Sequence, residues 1–142
     1  KADIIWANHP HVVNFFEETA ASSHYTENLG QKERKAFIMY ANGNTISAQR
    51  TNPQFAAPDT NRDYTGEGLI LKMKATKKAD GSVILSDYEP HLITTYITPA
   101  WQFVIKELDD SFINALDRAE IVSWAKYLAE RKKLVEKVLS EK

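Results

Sequence analysis

The sequence predicts an α/β fold, and three observations support the prediction. Residues 4–7 (IIWA) and 36–44 (AFIMYANGN) contain short, continuous apolar runs, which are typical of strands covered on both faces. Two longer β-rich runs are joined by Asp80-Gly81, a dipeptide that favours a hairpin turn. The end of the chain has the spacing of an amphipathic helix. With 142 residues, the chain is long enough to bury a core.

The strands are predicted within residues 1–108, which we interpret as one domain or part of one. Residues 17–35 are polar and predict a loop or a short helix, whereas 51–66 carry two prolines without any period and predict a long irregular loop. The runs GLILKMKAT and VILSDYEPHLITTYI form the hairpin, and a type I′ turn is expected at Asp80-Gly81. The run AWQFVIKEL predicts a further strand.

Residues 109–142 predict a helical segment that packs on these strands. The residues DDS at 109–111 can cap a helix that begins at Phe112, and Asp117 with Glu120 resembles a capping box that restarts it. An apolar stripe, interrupted by the charged run ERKK, consists of Ile121, Trp124, Ala125, Leu128, Val135 and Leu139. Packing on the sheet is the first interpretation of this stripe. A helix that binds a membrane surface or a partner is the alternative.

Composition excludes several classes of function. The chain has 18 basic and 19 acidic residues, so it has no overall field that would attract nucleic acid or anionic lipid. It has no cysteine, which excludes disulfides, thiolate metal sites and a cysteine nucleophile. No apolar run approaches the roughly 20 residues that span a bilayer.

The first candidate site is the His9-Pro10-His11 sequence that follows the first strand. In an extended segment, a spacing of two residues places both imidazoles on one side. Neutral imidazoles are good ligands for zinc, manganese and iron, and ligands commonly lie beyond the carboxyl ends of strands. From His9 and His11 alone, a metal site and a pair of surface or capping histidines both remain open.

The second candidate is Asn42-Gly43-Asn44, which ends the second apolar run. Its amides could approach a phosphate, or Asn44 could orient a ligand; the alternative is a turn that needs a positive φ angle. His24 lies in a polar loop and is expected to be solvated, whereas His91 is expected to be a structural histidine. The sequence has no glycine-rich phosphate loop or nucleophile elbow.

Two of these segments together resemble the CapA family of capsule or poly-γ-glutamate synthesis proteins. ADIIWANHPHVV is similar to that family's Ala-Asp-x-x-x-Gly-x-His-Pro-His-Val segment. FIMYANGNTISAQR is similar to its next motif, a strand ending in Tyr-Ser-Leu-Gly-Asn-Phe and followed by Gln. GEGLILKMKATKKADGSVILSDYEP follows the family's pattern of a glycine, a strand, an Asp-Gly hairpin and a strand that runs into proline. The resemblance covers residues 2–91.

The resemblance implies a fold and a metal site. CapA proteins are similar to calcineurin-like metallophosphoesterases, which have a two-sheet α/β sandwich and a two-metal centre. His9 and His11 would be metal ligands, and Asn8, Asn44 and Gln49 would lie beside the metals or on the substrate side. The metals would be two divalent ions, of Mn, Zn, Fe or Mg.

The resemblance also implies that this chain is the C-terminal part of a larger protein, since the family's other ligands precede His-Pro-His. The abrupt start at an apolar strand agrees with this expectation. The partners would be the missing N-terminal part and an anionic polymer or phosphorylated substrate of the cell envelope, and the fragment alone would be inactive as a hydrolase. A non-catalytic protein that binds or assembles an anionic polymer is the alternative, and a structural α/β domain is the third.

The chain departs from the family pattern at three places. Asn8 stands where a small residue or histidine is usual, and Ala41-Asn42 replaces Ser-Leu. Thr45 stands where phenylalanine is typical, which alters the packing beside the site.

Overall fold

The computed structural model describes residues 3–20 and 35–141, and this part of the chain has the mixed α/β fold that the sequence predicts. The first three-stranded sheet has the order β1-β3-β2 and consists of β1 (Ile4–Trp6), β2 (Phe16–Ala20) and β3 (Lys35–Met39). The second has the order β4-β5-β6 and consists of β4 (Glu67–Lys77), β5 (Val83–Ile97) and β6 (Phe103–Glu107). The two helices described are α1 (Asp110–Arg118) and α2 (Val122–Ser140).

In the first sheet, β1 runs parallel to β3, and β2 runs antiparallel to it. The central strand β3 is buried as predicted, with Phe37 only 1% exposed. The prediction that β1 is covered on both faces is wrong, because β1 is an edge strand and each of its three apolar side chains is more than two-fifths exposed. The prediction of a loop or helix is wrong for residues 17–20, which pair with β3; the rest of that segment, with His24, lies outside the described residues.

The predicted hairpin of β4 and β5 is confirmed, but its turn is of a different type. A type I′ turn needs two positive φ angles, whereas Gly81 has a φ of 81° and Asp80 is not in the left-handed region. The Gly81 N–H donates to the Lys78 carbonyl, so residues 78–81 form a four-residue turn that ends at the left-handed glycine. The irregular loop at 51–66 is confirmed and contains a short 3-10 turn at Thr60–Arg62.

The helices pack on the second sheet. Asp109 caps α1 as predicted, because its carboxylate accepts a hydrogen bond from the Phe112 N–H at 2.7 Å. The predicted capping box is wrong: α2 begins at Val122 without a side-chain cap, and Glu120, between the two helices, has a φ of 61°. Four residues of the predicted stripe, Trp124, Ala125, Leu128 and Val135, are buried, and Ile121 and Leu139 are half-buried. Trp124 lies edge-on to Tyr96 of β5. Neither described helix is long and apolar enough to span a membrane.

The two sheets meet where the chain after β3 crosses the start of β4, and we call residues 42–44 and 66–68 the sheet junction. Gly43 pairs with Gly68, and the Asn44 N–H donates to the Glu67 carbonyl at 2.9 Å. A Cβ atom on Gly43 would lie within 3.0 Å of that carbonyl oxygen, and one on Gly68 would clash with the Asn44 carbonyl. Gly43 also has a φ of 70°, so the junction needs glycine for both reasons.

Candidate functional site

The parallel pairing of β1 and β3 brings the segments that follow them to the same edge of the first sheet. His11 follows β1, and Asn44 follows β3. The His11 Nδ1 atom lies 2.8 Å from the Asn44 Oδ1 atom, which is hydrogen-bonding distance. The structure therefore brings together two of the residues that the sequence singles out.

The hydrogen bonds of Asn44 determine which nitrogen of His11 carries the proton. The Asn44 Nδ2 group donates to the Thr65 carbonyl at 2.7 Å, and a carbonyl oxygen can only accept. Asn44 must therefore present its own oxygen to His11, so the His11 Nδ1–H donates to it. In the neutral ring, the lone pair is then on Nε2.

The remaining predicted site residues lie at the surface. His9 and Asn8 are exposed in the same loop as His11. His11 has a φ of 56°, so this loop is not extended and the same-side argument for the two imidazoles does not apply. Gln49 is also exposed; its backbone N–H donates to Ser47 Oγ at 3.0 Å, and its carbonyl accepts from the Thr65 hydroxyl.

The chemistry of the donors fits a divalent metal as part of a ligand set. Two imidazole nitrogens suit zinc, manganese or iron. A metal-bound histidine usually donates its other ring N–H to an oxygen, as His11 does to Asn44. Within residues 3–20 and 35–141, no group of three or more His, Cys, Asp or Glu side chains is arranged to hold a metal ion.

Beside this site lies a buried ion cluster that the sequence reasoning missed, consisting of Arg50, Glu67 and Arg131. Two nitrogens of Arg131 donate to Glu67 Oε2 at 3.0 and 3.1 Å. Arg50 Nη2 lies 3.6 Å from Glu67 Oε1, and the three side chains are at most 5% exposed. The signal for Arg131 was its spacing, because it occupies the helical stripe between Leu128 and Val135.

Arg50 also connects the junction to β5 by hydrogen bonds. Its Nη1 donates to the carbonyls of Gly66 and Thr95, at 3.1 and 2.5 Å, and to the Thr94 hydroxyl at 2.7 Å. Its guanidinium carbon lies 4.8 Å from the centre of the Trp124 ring, in cation–π geometry. One arginine thus holds the start of β4, the end of β5 and helix α2 together.

Burial determines the electrostatics of the cluster. Burial raises the pKa of the Glu67 carboxyl, whereas the charges of Arg131 and Arg50 act in the opposite direction. Burial also lowers the pKa of Arg50, and the Glu67 carboxylate opposes this change. Both pKa directions express the cost of removing a charge from water, which the neighbouring opposite charges partly offset.

His91 lies apart from this site on the exposed face of the second sheet. Its Nδ1 is 3.0 Å from Glu107 Oε1, and its Nε2 is 3.3 Å from Glu89 Oε1. The hydrogen bond with Glu107, and then the charges of both carboxylates, raise the pKa of His91. Its ring is therefore held by surface ion pairs.

The residues that depart from the CapA pattern differ in their burial. Thr45, in place of phenylalanine, is exposed, and Ala41 is completely buried. Asn42, in place of leucine, has a buried Oδ1 atom that has no hydrogen-bond partner among the described residues.

No protein-family model, curated protein or solved structure matches this chain. The resemblance to CapA proteins therefore rests on the sequence motifs alone, and the function that it implies is a proposal.

Proposed function

We propose that this chain is the C-terminal part of a CapA-like protein of the cell envelope, with a metallophosphoesterase-like fold and a role in capsule or poly-γ-glutamate synthesis. His9 and His11 bind metal in a two-metal centre that hydrolyses a phosphoester or a similar bond. The observation that carries the proposal is the hydrogen bond of His11 Nδ1–H to Asn44 Oδ1.

This hydrogen bond favours a ligand role because it selects the ring nitrogen that can bind a metal. It fixes the lone pair on Nε2, and it also limits rotation of the ring. Asn44 is held in turn by the carbonyls of Thr65 and Glu67. The imidazole is thus oriented before any metal binds, which reduces the entropy that binding costs.

The exposure of β1 supports the proposal that upstream residues complete the fold. Ile4, Ile5 and Trp6 are each 44–46% exposed on consecutive positions of an edge strand. Edge strands in native proteins are usually short, charged or covered, because an uncovered apolar edge promotes aggregation. In the complete protein, we propose that β1 is covered by the N-terminal part, which also supplies the other metal ligands.

Two bound divalent ions would activate a water molecule and neutralise charge on a phosphoryl group. His9 and His11 would bind them as neutral nitrogen ligands, and Asn44 would hold the ring of His11. Asn8 and Gln49, which are exposed in the segments beside the site, would contact the substrate side.

The test is metal content and phosphodiester hydrolysis in the full-length protein that carries this chain. After loading with Mn²⁺ or Zn²⁺, we expect about two ions per chain and hydrolysis of bis(p-nitrophenyl) phosphate. The double variant His9→Ala/His11→Ala should lose both, and His91→Ala is the matched control. Unchanged metal content in the double variant would overturn the ligand assignment. Metal binding without hydrolysis, together with binding of an anionic polymer such as poly-γ-glutamate, would instead support the alternative of a binding or assembly protein.

A further inference from the structure

The orientation of Asn44 depends on a short stretch of backbone at the start of β4. Its side-chain Nδ2 donates to the Thr65 carbonyl, and its backbone N–H donates to the Glu67 carbonyl. The two acceptors are two residues apart. Displacement of residues 65–67 would therefore move both hydrogen bonds that orient the Asn44 amide.

The buried ion cluster fixes that stretch of backbone from two sides. Arg50 donates to the Gly66 carbonyl at 3.1 Å. Arg131, from helix α2, holds the Glu67 carboxylate with two hydrogen bonds. The Thr65 hydroxyl adds a third attachment, by donating to the Gln49 and Arg62 carbonyls. Residues 65–67 are thus attached to residues 49–50 and to helix α2.

We propose that Arg131 is a positioning residue for His11. Through Glu67, it fixes the carbonyls that orient Asn44, and Asn44 keeps the proton of His11 on Nδ1. Helix α2 thereby controls which nitrogen of the surface histidine His11 presents a lone pair. This inference rests on the proposed function only for the statement that His11 binds metal.

The alternative role of Arg131 is to stabilise the fold without any effect on the site. The two roles differ in one measurable property, the tautomer of His11. A neutral histidine side chain in water prefers the proton on Nε2, so the Nδ1–H form persists only while Asn44 presents its oxygen. A structural role lowers stability and leaves the tautomer of the folded protein unchanged.

The experiment is long-range ¹H–¹⁵N NMR of the metal-free chain at mildly alkaline pH, where the ring nitrogens report the tautomer. We expect wild-type His11 to show the Nδ1–H form alone, and Arg131→Met to show a mixture in which Nε2–H is substantial. Asn44→Ala, which removes the acceptor, should give a mixture as well and shows the size of the full effect. Lys133→Met, at an exposed position of the same helix, is the matched control and should give the wild-type spectrum.

A folded Arg131→Met chain that keeps the single Nδ1–H form would overturn the inference. If that variant does not fold, Arg131→Lys gives the answer, because it keeps the charge and loses the paired hydrogen bonds to Glu67. A mixture of tautomers in Arg131→Lys supports the inference, and the wild-type form overturns it. If His11 changes its tautomer but the double histidine variant keeps its metal, the inference stands and the proposed function fails. If His11 keeps its tautomer and the double histidine variant loses its metal, the inference fails and the proposed function stands.

Discussion

The sheet junction and the outer hairpin, residues 72–89, contain similar interactions in opposite surroundings. At the junction, Arg131 and Glu67 are 3.0 Å apart with side chains 5% and 1% exposed. In the outer hairpin, Lys72 and Glu89 are 2.8 Å apart with side chains 72% and 53% exposed. The shorter ion pair is the weaker one, because water screens it and solvates its charges equally well when they separate. Burial, rather than distance, decides how much the loss of one partner costs.

The largest expected effect comes from removing one charge at the junction. Arg131→Ala leaves the buried Glu67 carboxylate with Arg50 alone, at 3.6 Å. Breaking a buried pair in this way costs about 3–5 kcal/mol. Urea unfolding should show this loss for Arg131→Ala and no resolvable loss for Lys72→Ala. Equal losses in the two variants would contradict the role that we assign to burial.

A smaller effect is expected from two glycines with similar backbone angles. Gly43 and Gly81 have φ angles of 70° and 81°, but a Cβ would clash at Gly43 and would meet nothing within 4 Å at Gly81. Both alanine variants lose about 1–2 kcal/mol to the left-handed backbone. Gly43→Ala should lose about 1–3 kcal/mol more, since overpacking costs that much. The difference between their free energies of unfolding measures the close approach of the strands; a difference of zero would show that the junction relaxes around the methyl group.

The smallest effect is the pH dependence of the surface pairs at His91. Its pKa is raised in the folded protein, above the value of about 6.5 in an unfolded chain. A raised folded pKa means that the pairs with Glu107 and Glu89 stabilise fully below about pH 6.5 and lose this contribution as the pH rises through the folded pKa. The melting temperature of His91→Gln should therefore lie slightly below that of the wild type in acid and converge with it in alkali. A difference in melting temperature that grows with pH would contradict this prediction.

The sequence predicted the elements whose signals are local. The hairpin, the buried strand β3, the cap at Asp109 and the stripe on α2 each follow from residues close together in the chain. Two errors are local, the turn type at Asp80-Gly81 and the capping box at Asp117. The errors at β1 and β2 are non-local. The exposure of β1 depends on which strands flank it, and the strand β2 has a polar sequence, FEETA, that gains its conformation by pairing with β3.

The candidate site shows the same limit. His11 and Asn44 could be named because each follows a strand, and their parallel pairing determines that they meet. The left-handed conformation of His11 could not be foreseen, because histidine is enriched at positive φ but most histidines still have a negative φ. By sequence, Arg131 belongs to a charged interruption of the stripe. Its burial depends on pairing with Glu67, which is 64 residues earlier in the chain.

Because Trp124 is buried beneath Arg50, its fluorescence reports on the packing beside the junction. Trp124 is completely buried, whereas Trp6 and Trp101 are 44% and 61% exposed. The indole fluorescence of this chain is therefore divided between one ring that iodide or acrylamide cannot reach and two rings that they can. Any ligand, neighbouring segment or mutation that loosens helix α2 from the second sheet would increase the quenchable fraction, and any that covers β1 would reduce it. The chain thus contains its own fluorescent reporters for the packing of helix α2 and for the exposed strand β1.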